Sequence, residues 1–436
     1  MKIDNSILAP GFKTQPFWWD AAPRPQRAEK VLPKHADVVV VGSGYTGLSA
    51  ALTLARAGKE VVVLEAEEPG FGASTRNAGF VGRTLKHSFS SLTKTEGLSR
   101  ACAMYGEVDE AFQYVVDLIQ NEQIQCHYTQ CGRFMGARSS SQYEAMADEL
   151  EFKRKHLGQI FEMVPKAEQH AEIGSDLYHG GAVLQELGGV HPGLYHLGLL
   201  DRTERAGAEV FAHTRVLGIQ RNGTGFQVDT ARGKLEAGNV LVATNGYTRG
   251  ATPWFRRRLI PFRGFMVATE PLDAEQIGLI LPRMRTAHDF NNNLQFLRRS
   301  PDGRRLLFGG LTGTLDDNMS RMAGRLHHLL SVILPDMKSV KLSHAWNGFC
   351  AATFDQNPHI GTHDGVYYAM GYCFAGLPMG THLGHKVALR ILGDAQAATV
   401  FDDLPFQTRA WYWGTPWFLP AYMRYLSYQD RVSMKK

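Results

Sequence analysis

Residues 36–82 read ADVVVVGSGYTGLSAALTLARAGKEVVVLEAEEPGFGASTRNAGFVG, and this stretch decides the fold. Four consecutive valines at 38–41 predict a short strand buried on both faces. A helical pattern follows and stops at Gly58, and a second apolar run at 61–64 ends in Glu65. The stretch therefore predicts a β-α-β unit, the building block of a Rossmann-type α/β domain.

Three glycines with the spacing G-x-G-x-x-G link the first strand to the helix: Gly42, Gly44 and Gly47. The first permits a tight turn, the second lets the backbone approach a pyrophosphate, and the third lets helix and strand pack closely. The helix N-terminus attracts phosphate, and Glu65 can accept hydrogen bonds from an adenosine ribose. Because strand, helix, strand and acid occur in register, the unit predicts dinucleotide binding rather than a glycine-rich turn of another α/β protein.

The loop at residues 70–79 favours FAD over NAD. It is a run of small and polar residues with one arginine, Arg76. Such a loop can lie close to a flat ring system and still offer donors to phosphate and ring edge. FAD requires this second cradle, whereas NAD does not.

Two motifs resemble the D-amino-acid oxidase superfamily of flavoproteins. Residues 72–79, GASTRNAG, are similar to its G-A-S-x-R-N-G-G loop, except that Ala78 replaces a glycine. Residues 353–361 match its return motif T-x-D-x-x-P-x-I-G. The resemblance covers roughly residues 36–395, and its nearest branch is that of the γ-glutamylputrescine oxidases, which the Trp18-Trp19 pair and the PWFLP tail at 416–420 also fit.

The resemblance implies where FAD binds. The segment at 240–246 would return the chain beneath the pyrophosphate, the Val216 region would stack on adenine, and a helix beginning near Gly380 would stabilise the reduced flavin. The predicted FAD site comprises Gly42, Gly44, Tyr45, Thr46, Gly47, Glu65, Ala66, Gly72, Ala73, Ser74, Arg76, Asn77, Ala78, Gly79, Phe80, Val216, Ala243, Thr244, Asn245, Gly246, Gly371, Gly376, Leu377, Met379, Gly380 and Thr381.

The chain length of 436 residues exceeds one ordinary core and favours two intertwined domains. The expected fold is α/β: a Rossmann-type FAD-binding domain interleaved with an α+β substrate domain built on an antiparallel sheet. The expected boundaries are an N-terminal arm at 1–35, a discontinuous FAD domain at 36–96, 180–252 and 343–398, a substrate domain at 97–179 and 253–342, and an aromatic C-terminal segment at 399–436.

Charge and composition indicate a globular protein without a nucleic-acid partner. The net charge of +5 is small and dispersed, which argues against nucleic-acid binding. The basic run at 256–258 favours a solvated turn over a binding patch. No apolar window is long enough to span a membrane, and no signal-peptide pattern begins the chain. The aromatic C-terminal segment favours packing on the core, with a membrane-surface role as the alternative.

Cysteine usage indicates reduced thiols in a cytoplasm. The five cysteines are odd in number and form no C-x-x-C pair. Cys126, His127 and Cys131 suggest a metal site, but no second ligand pair is spaced to complete it, so no metal is expected. Covalent attachment of the flavin through Cys350 or Cys373 is conceivable, and non-covalent FAD is the expectation.

The resemblance implies oxidation of a C–N bond, with hydride passing to the flavin and the imine then hydrolysing. Oxygen or another acceptor would reoxidise the flavin. The catalytic side chains stay unknown, with His87, Cys350 and Phe374 as weak candidates; His344 and His382 are better explained as structural histidines.

Three departures from the family pattern suggest a pocket with few polar groups: Ala375 replaces a histidine, and Cys350 and Leu311 replace arginines that bind an α-carboxylate. A small amine without an α-carboxylate is therefore the expected substrate, unless Arg76, Arg263 or Arg298 supplies the missing cation. The alternatives are an oxidase of D- or N-methyl-amino acids and a flavin-holding subunit without turnover.

Overall fold

The computed structural model describes residues 5–24, 29–314, 316–402 and 404–433. The strands of this part of the chain are β1 (Leu8–Lys13), β2 (His35–Val41), β3 (Val61–Leu64), β4 (Phe80–Val81), β5 (Arg133–Gly136), β6 (Glu162–Val164), β7 (Gly181–Leu184), β8 (Gly188–Gly189), β9 (Glu209–Phe211), β10 (Val216–Asn222), β11 (Gly225–Thr230), β12 (Gly233–Val242), β13 (Ile260–Thr269), β14 (Thr286–Asp289), β15 (Phe296–Arg299), β16 (Leu306–Gly310), β17 (Leu342–Ala352), β18 (His359–His363) and β19 (Val366–Met370). The helices are α1 (Trp18–Ala21), α2 (Tyr45–Arg56), α3 (Phe89–Glu96), α4 (Leu98–Asn121), α5 (Ser140–Leu157), α6 (Pro192–Arg205), α7 (Pro253–Arg256), α8 (Ala274–Ile280), α9 (Met319–Ile333), α10 (Pro378–Leu392) and α11 (Leu419–Ser433).

The parallel sheet, as we call the first of two large sheets, has the order β10-β11-β12-β2-β3-β9, with β19 pairing β12 and β18 pairing β19. Its central contacts β12–β2, β2–β3, β3–β9 and β12–β19 are parallel. The valines of β2 and β3 are buried on both faces. Val38, Val40, Val61 and Val63 pack with α2, α4 and α10, whereas Val39, Val41 and Val62 pack with side chains of β11 and β12. The predicted β-α-β unit is confirmed.

The roof sheet, the second large sheet, has the order β1-β17-β13-β16-β15-β14-β5-β7-β6. Its long antiparallel pair, β13–β17, runs from Ile260↔Ala352 to Thr269↔Leu342. The contacts β1–β17 and β14–β5 are parallel, so the sheet is mixed although mainly antiparallel. The predicted fold class, a Rossmann-type unit combined with a mainly antiparallel sheet, is confirmed.

The N-terminal arm is more structured than an extended segment. Residues 8–13 add β1 to the edge of the roof sheet, where a proline is tolerated because Pro10 lies on an outer strand. Trp18 is fully buried. The positions 1–4 and 25–28 of the predicted arm lie outside the described residues.

The domain boundaries stay a prediction. Two elements pack with a sheet or core other than that of the domain predicted for them. β7 lies in the roof sheet although its residues fall within the predicted FAD segment 180–252. α4, from the predicted substrate segment, packs into the same apolar cluster as α2 and α10. Among the described residues, no helix is long and apolar enough to cross a bilayer.

Candidate active site

The turn between β2 and α2 leaves the start of α2 open to an anion. Gly42 has a φ of +104°, a conformation that favours glycine. A Cβ on Gly47 would collide with the carbonyl oxygen of Gly42. Gly44, the residue before α2, has no side chain to cap the helix, and the Tyr45 N–H donates to Ser74 Oγ at 3.0 Å. The other N–H groups of the first turn remain for phosphate.

Glu65 is held with its carboxylate at the end of β3. Its Oε2 accepts from the backbone N–H and the hydroxyl of Ser43, at 3.1 and 2.7 Å, and its Oε1 accepts from the Glu67 N–H at 3.1 Å. These bonds fix the carboxylate, which still has lone pairs for a ribose hydroxyl.

The loop at residues 72–79 is fixed from outside by tryptophans. Each donates an indole N–H at 2.9 Å: Trp18 to the Asn77 carbonyl, Trp19 to Thr75 Oγ1 and Trp346 to the Arg76 carbonyl. Within the loop, Asn77 Oδ1 accepts from the Gly79 N–H at 2.8 Å. The N-terminal aromatic residues therefore support the predicted flavin loop.

The start of α10 points into the same space as the start of α2. Thr46 Oγ1 lies 2.8 Å from Tyr372 Oη, which links α2 to the segment that precedes α10. Gly384 has no room for a Cβ against the Thr46 carbonyl, so the helices pack closely. The segment before α10 carries positive φ values at Cys373 (45°) and Phe374 (79°), which turn the chain towards the helix.

The two sheets enclose one cavity of about 1340 Å³. The roof sheet contributes Met135, Phe262, Met266, His288 and Phe296 to its wall. Three of these side chains come from adjacent strands, since His288 pairs with Met135 of β5 on one side and with Phe296 of β15 on the other. The opposite wall carries the starts of α2 and α10.

Most residues of the predicted FAD site line this cavity. Those on the wall are Gly42, Gly44, Tyr45, Thr46, Glu65, Ala66, Gly72, Ala73, Ser74, Arg76, Asn77, Ala78, Phe80, Val216, Ala243, Thr244, Asn245, Gly376 and Leu377. Seven others are not part of the lining: Gly47, Gly79, Gly246, Gly371, Met379, Gly380 and Thr381. Several of these seven pack against the wall; a Cβ on Gly246, for example, would lie 2.6 Å from the Cys350 carbonyl oxygen.

The comparison with protein families decides the assignment. The family model DAO, described as FAD dependent oxidoreductase, matches residues 37–390. The chain belongs to this family. FAD is therefore its cofactor, the protein is an oxidoreductase, and the resemblance to the D-amino-acid oxidase superfamily is confirmed.

Individual relatives cover most of the chain. γ-Glutamylputrescine oxidoreductase of Escherichia coli (strain K12) is 32% identical over 374 residues, 85% of this chain and 86% of its own. A probable oxidoreductase, OrdL, of Haemophilus influenzae is 29% identical over 377 residues, again 85% of this chain and 86% of its own. The crystal structure of glycine oxidase from Geobacillus kaustophilus has the same fold, with a TM-score of 0.71 and 22% identity over 87% of this chain and 99% of that one.

The cavity fits FAD in this family member. It extends from Glu65 past the open start of α2 and past Gly376 and Leu377, which precede α10, to the mainly apolar roof. This path matches the succession of ribose, pyrophosphate and flavin ring. The path is narrow at Gly44, where a Cβ would lie 3.0 Å from Ser74 Oγ. Helix N-termini suit the pyrophosphate and a negatively charged flavin ring.

The three weak catalytic candidates all line the cavity, and none has the setting of a reactive group. The His87 Nε2–H donates to the Asp355 carbonyl at 2.8 Å, which occupies that nitrogen. Phe374 packs on Phe262 with ring centroids 5.0 Å apart. Burial raises the pKa of Cys350 to about 12, so its sulfur stays a thiol.

Thiol chemistry agrees with the expectation of non-covalent FAD. Burial also raises the pKa of the neighbouring Cys373, to about 11. Attachment to a flavin requires a nucleophilic thiolate, which both environments disfavour. We predict that acid precipitation leaves the yellow colour in the supernatant; a yellow pellet would contradict this.

The arginines that could replace the missing cation are occupied elsewhere. Arg298 Nη1 donates to the carbonyls of Ala78 and Val190 at 3.0 and 2.8 Å. Arg76 donates to the carbonyls of Phe71 and Asn347 and lies between two aromatic rings. Arg263 is not part of the cavity lining; its guanidinium carbon lies 4.9 Å from the ring centroid of Phe349.

The other predicted histidines lie outside the cavity lining. His344 Nε2 contacts Asp20 at 3.1 Å, and His382 Nε2 contacts Glu107 at 2.6 Å. Among the described residues, the one set of possible metal ligands that converge is Glu107, Glu110 and His382, in which Glu107 already serves His382 and the Val400 N–H. Cys126, His127 and Cys131 do not form such a set there.

Sequence reasoning missed two features of the site. His288 lies in the cavity roof, but a single histidine in β14 gives no motif. The C-terminal helix α11 also reaches the cavity through Leu419, Tyr422, Met423 and Leu426. The 3- and 4-residue spacing of these side chains was the available signal, and the aromatic content of the tail obscured it.

Proposed function

We propose that this protein oxidises the C–N bond of an amine that lacks an α-carboxylate, in the cytoplasm. The observation that carries this proposal is the roof of the cavity. Its roof-sheet lining is mainly apolar and aromatic, with His288, Asp289 and Arg133 as the ionisable side chains. The buried guanidiniums there bond to backbone carbonyls, and that of Arg133 also bonds to the Thr286 hydroxyl. Such a wall suits an uncharged amine and a carbon skeleton.

Bound FAD would supply the chemistry, acting as the two-electron acceptor for the carbon next to nitrogen. The residues of the FAD site that line the cavity would hold it, with Glu65 at the ribose and the start of α2 at the pyrophosphate. The positive end of α10 would favour negative charge on the ring. The apolar roof would exclude water and press the substrate against the ring.

His288 is the residue that we assign to the amine. Its Nδ1 lies 2.8 Å from the Asp289 carbonyl, and a carbonyl only accepts, so Nδ1 carries the proton. Nε2 is therefore an acceptor, and no described group bonds to it. Burial, with the nearby Arg133, lowers the pKa of His288 to about 4. The imidazole stays neutral and can accept a hydrogen bond from an amine N–H.

The absence of a carboxylate anchor sets the expected preference. An α-carboxylate in this roof would need a desolvated cation, and leaving it unpaired costs on the order of 2–5 kcal/mol. Arg133, the fully buried guanidinium of the roof, donates to Thr286 Oγ1 at 3.2 Å and to the Val81 carbonyl at 3.4 Å. The relative named γ-glutamylputrescine oxidoreductase supports an amine substrate.

An α-amino-acid oxidase is the second candidate, and Arg249 favours it. This exposed arginine lines the cavity, and its guanidinium carbon lies 5.8 Å from the Phe349 ring. An exposed guanidinium attracts a carboxylate less, because solvent screens it. A subunit that holds flavin without turnover is the third candidate, and oxygen or another acceptor would reoxidise the flavin in the first two.

Loss of flavin absorbance without oxygen tests the proposal. The holoenzyme is mixed anaerobically with polyamines, γ-glutamylated amines, N-methyl amino acids and D-amino acids. We expect bleaching by amines, and a higher kcat/KM for each amine than for its α-carboxylated analogue. Preference for the carboxylated partner, abolished in Arg249→Gln, would establish the second candidate. No bleaching by any of them would favour the third.

A further inference from the structure

The C-terminal segment forms an exposed aromatic face. Of the large apolar side chains that are exposed in the described chain, an unusual share lies between residues 411 and 432. Trp413 and Trp417 are 67% and 66% exposed, and Trp411 is 49% exposed. Along α11, the exposed members are Tyr422, Tyr425, Tyr428 and Val432. We call these seven residues the aromatic face.

The aromatic face is attached to the body at Tyr412 and Trp413. Buried Tyr412 donates its hydroxyl to the Leu259 carbonyl at 2.7 Å. Arg257 donates to the Tyr412 carbonyl and places its guanidinium 4.0 Å from the ring centroid of Trp413. The basic run at 256–258, expected to be a solvated turn, thus anchors this segment. The expectation that the aromatic tail packs on the core holds for Tyr412 and fails for the exposed tryptophans.

The exposed charges within the segment that carries the aromatic face have one sign. The exposed charged residues of the described segment 404–433 are Arg409, Arg424 and Arg431, together with the adjacent Arg256. The one acid of that segment, Asp430, is buried on the inward side of α11, where it accepts from the Asn292 and Asn293 N–H groups. The face therefore combines tryptophan and tyrosine with cations and presents no exposed carboxylate of its own.

We propose that the aromatic face docks this protein on an anionic membrane surface. Tryptophan and tyrosine prefer the headgroup level of a bilayer, and arginine is attracted to anionic lipid. A second copy of the chain fits less well, because a two-fold interface would bring the same arginines against each other. Tyr422 belongs to the face and also lines the cavity, so docking turns the cavity mouth towards the lipid.

Co-sedimentation of the holoenzyme with vesicles tests this proposal independently of any amine activity. The vesicles contain phosphatidylcholine alone or with phosphatidylglycerol. We expect binding to the mixed vesicles only, weakened by salt. Trp413→Ala/Trp417→Ala should bind at least about tenfold more weakly, and Arg424→Glu/Arg431→Glu should lose about fivefold or more per charge.

Leu217→Ala provides a matched control. Leu217 is 58% exposed on β10, at the edge of the parallel sheet. Its loss should leave vesicle binding unchanged, and all variants should keep FAD and their rate on a water-soluble substrate, since none of these residues lines the cavity. Absence of binding to the anionic vesicles, or equal binding by the tryptophan variant, would overturn the proposal. A dimer in solution that Trp413→Ala/Trp417→Ala splits would instead assign the face to a second copy.

Discussion

His288 should contribute to amine binding through one lone pair. In His288→Leu, the substrate N–H loses its acceptor, and kcat/KM should fall about tenfold to a hundredfold. His288→Gln places an amide oxygen near the position of Nε2 and should recover much of the loss. Steady-state kinetics with one amine compare the three proteins at equal FAD content.

The pH profile separates this role from a purely structural one. The pKa of His288 is about 4, lowered by burial, so the imidazole is neutral throughout the working range. The acid limb of kcat/KM should then follow the ionisation of the substrate amine and move when the amine is changed. A limb fixed near 6.5 for every amine, and absent in His288→Gln, would show a titrating base instead.

A substitution at Gly44 tests the assignment of the FAD site. A side chain at this position would enter the path of the pyrophosphate at the start of α2. Gly44→Val should be folded and colourless, as measured by circular dichroism and by the flavin absorbance of the purified protein. Gly106→Ala is the control, because a Cβ at Gly106 in α4 meets nothing within 4 Å. Undiminished FAD in Gly44→Val would count against the whole nucleotide site.

At the scale of elements, the sequence predicts structure best where the contacting residues are close together along the chain. The valines at 38–41, the glycine turn and Glu65 lie within one β-α-β unit, so their spacing along the chain is enough to predict that unit. The roof sheet is different, because β5 pairs with β14 from about 150 residues further along the chain. No periodicity in either strand reveals that partner, and so the neighbourhood of Met135 and His288 was not predictable.

The C-terminal helix shows a second limit of prediction. Residues 411–425 are rich in aromatic side chains, and this composition is equally compatible with side chains that pack on the core and with side chains that are exposed. Which residues of α11 face the cavity depends on the loop at 291–293, to which Asp430 bonds. That contact spans about 138 positions of sequence.

Asp430 should hold α11 over the cavity. Its Oδ1 accepts from the Asn292 N–H and side-chain amide, both at 2.9 Å, and its Oδ2 accepts from the Asn293 N–H at 3.0 Å. Asp430→Ala removes these acceptors at a local cost of roughly 1–3 kcal/mol. We expect faster tryptic cleavage at Arg424 and a higher KM, with FAD retained. Asp430→Asn keeps part of the bonding and should fall between, whereas unchanged cleavage would show that α11 is held by other contacts.

At the scale of the whole molecule, buried histidines should make stability fall in mild acid. The pKa values of His191, His288 and His385 are each about 4, lowered mainly by burial from an ordinary value of 6.5. Between these two values the unfolded chain binds protons that the folded chain does not. Stability therefore rises with pH through this window and is lost as the pH falls through it.

Asp289 opposes this trend in part. Burial raises its pKa to about 6, so between 3.8 and 6 the folded state holds a proton that the unfolded state has released. Carboxylates with a lowered pKa, such as Asp20 and Asp355, lose their contribution only near and below their ordinary values. Burial also lowers the pKa of His344 and raises the pKa values of Asp109 and Glu172. Four histidines therefore act against three carboxylates, and the net slope should keep the sign set by the histidines.

Thermal melts of the holoenzyme across pH 4 to 7 measure this slope, with the window taken from the histidine pKa values. His385→Asn is the informative variant, because the asparagine amide can replace the Nδ1 bond to Thr53 Oγ1, which is 2.9 Å long. It carries no titrating group, so its Tm should depend less steeply on pH than that of the wild type. Since His385 does not line the cavity, FAD content should be unchanged, and a difference in slope would report the histidine itself. Equal slopes in the two proteins would mean that His385 titrates alike in the folded and unfolded chains.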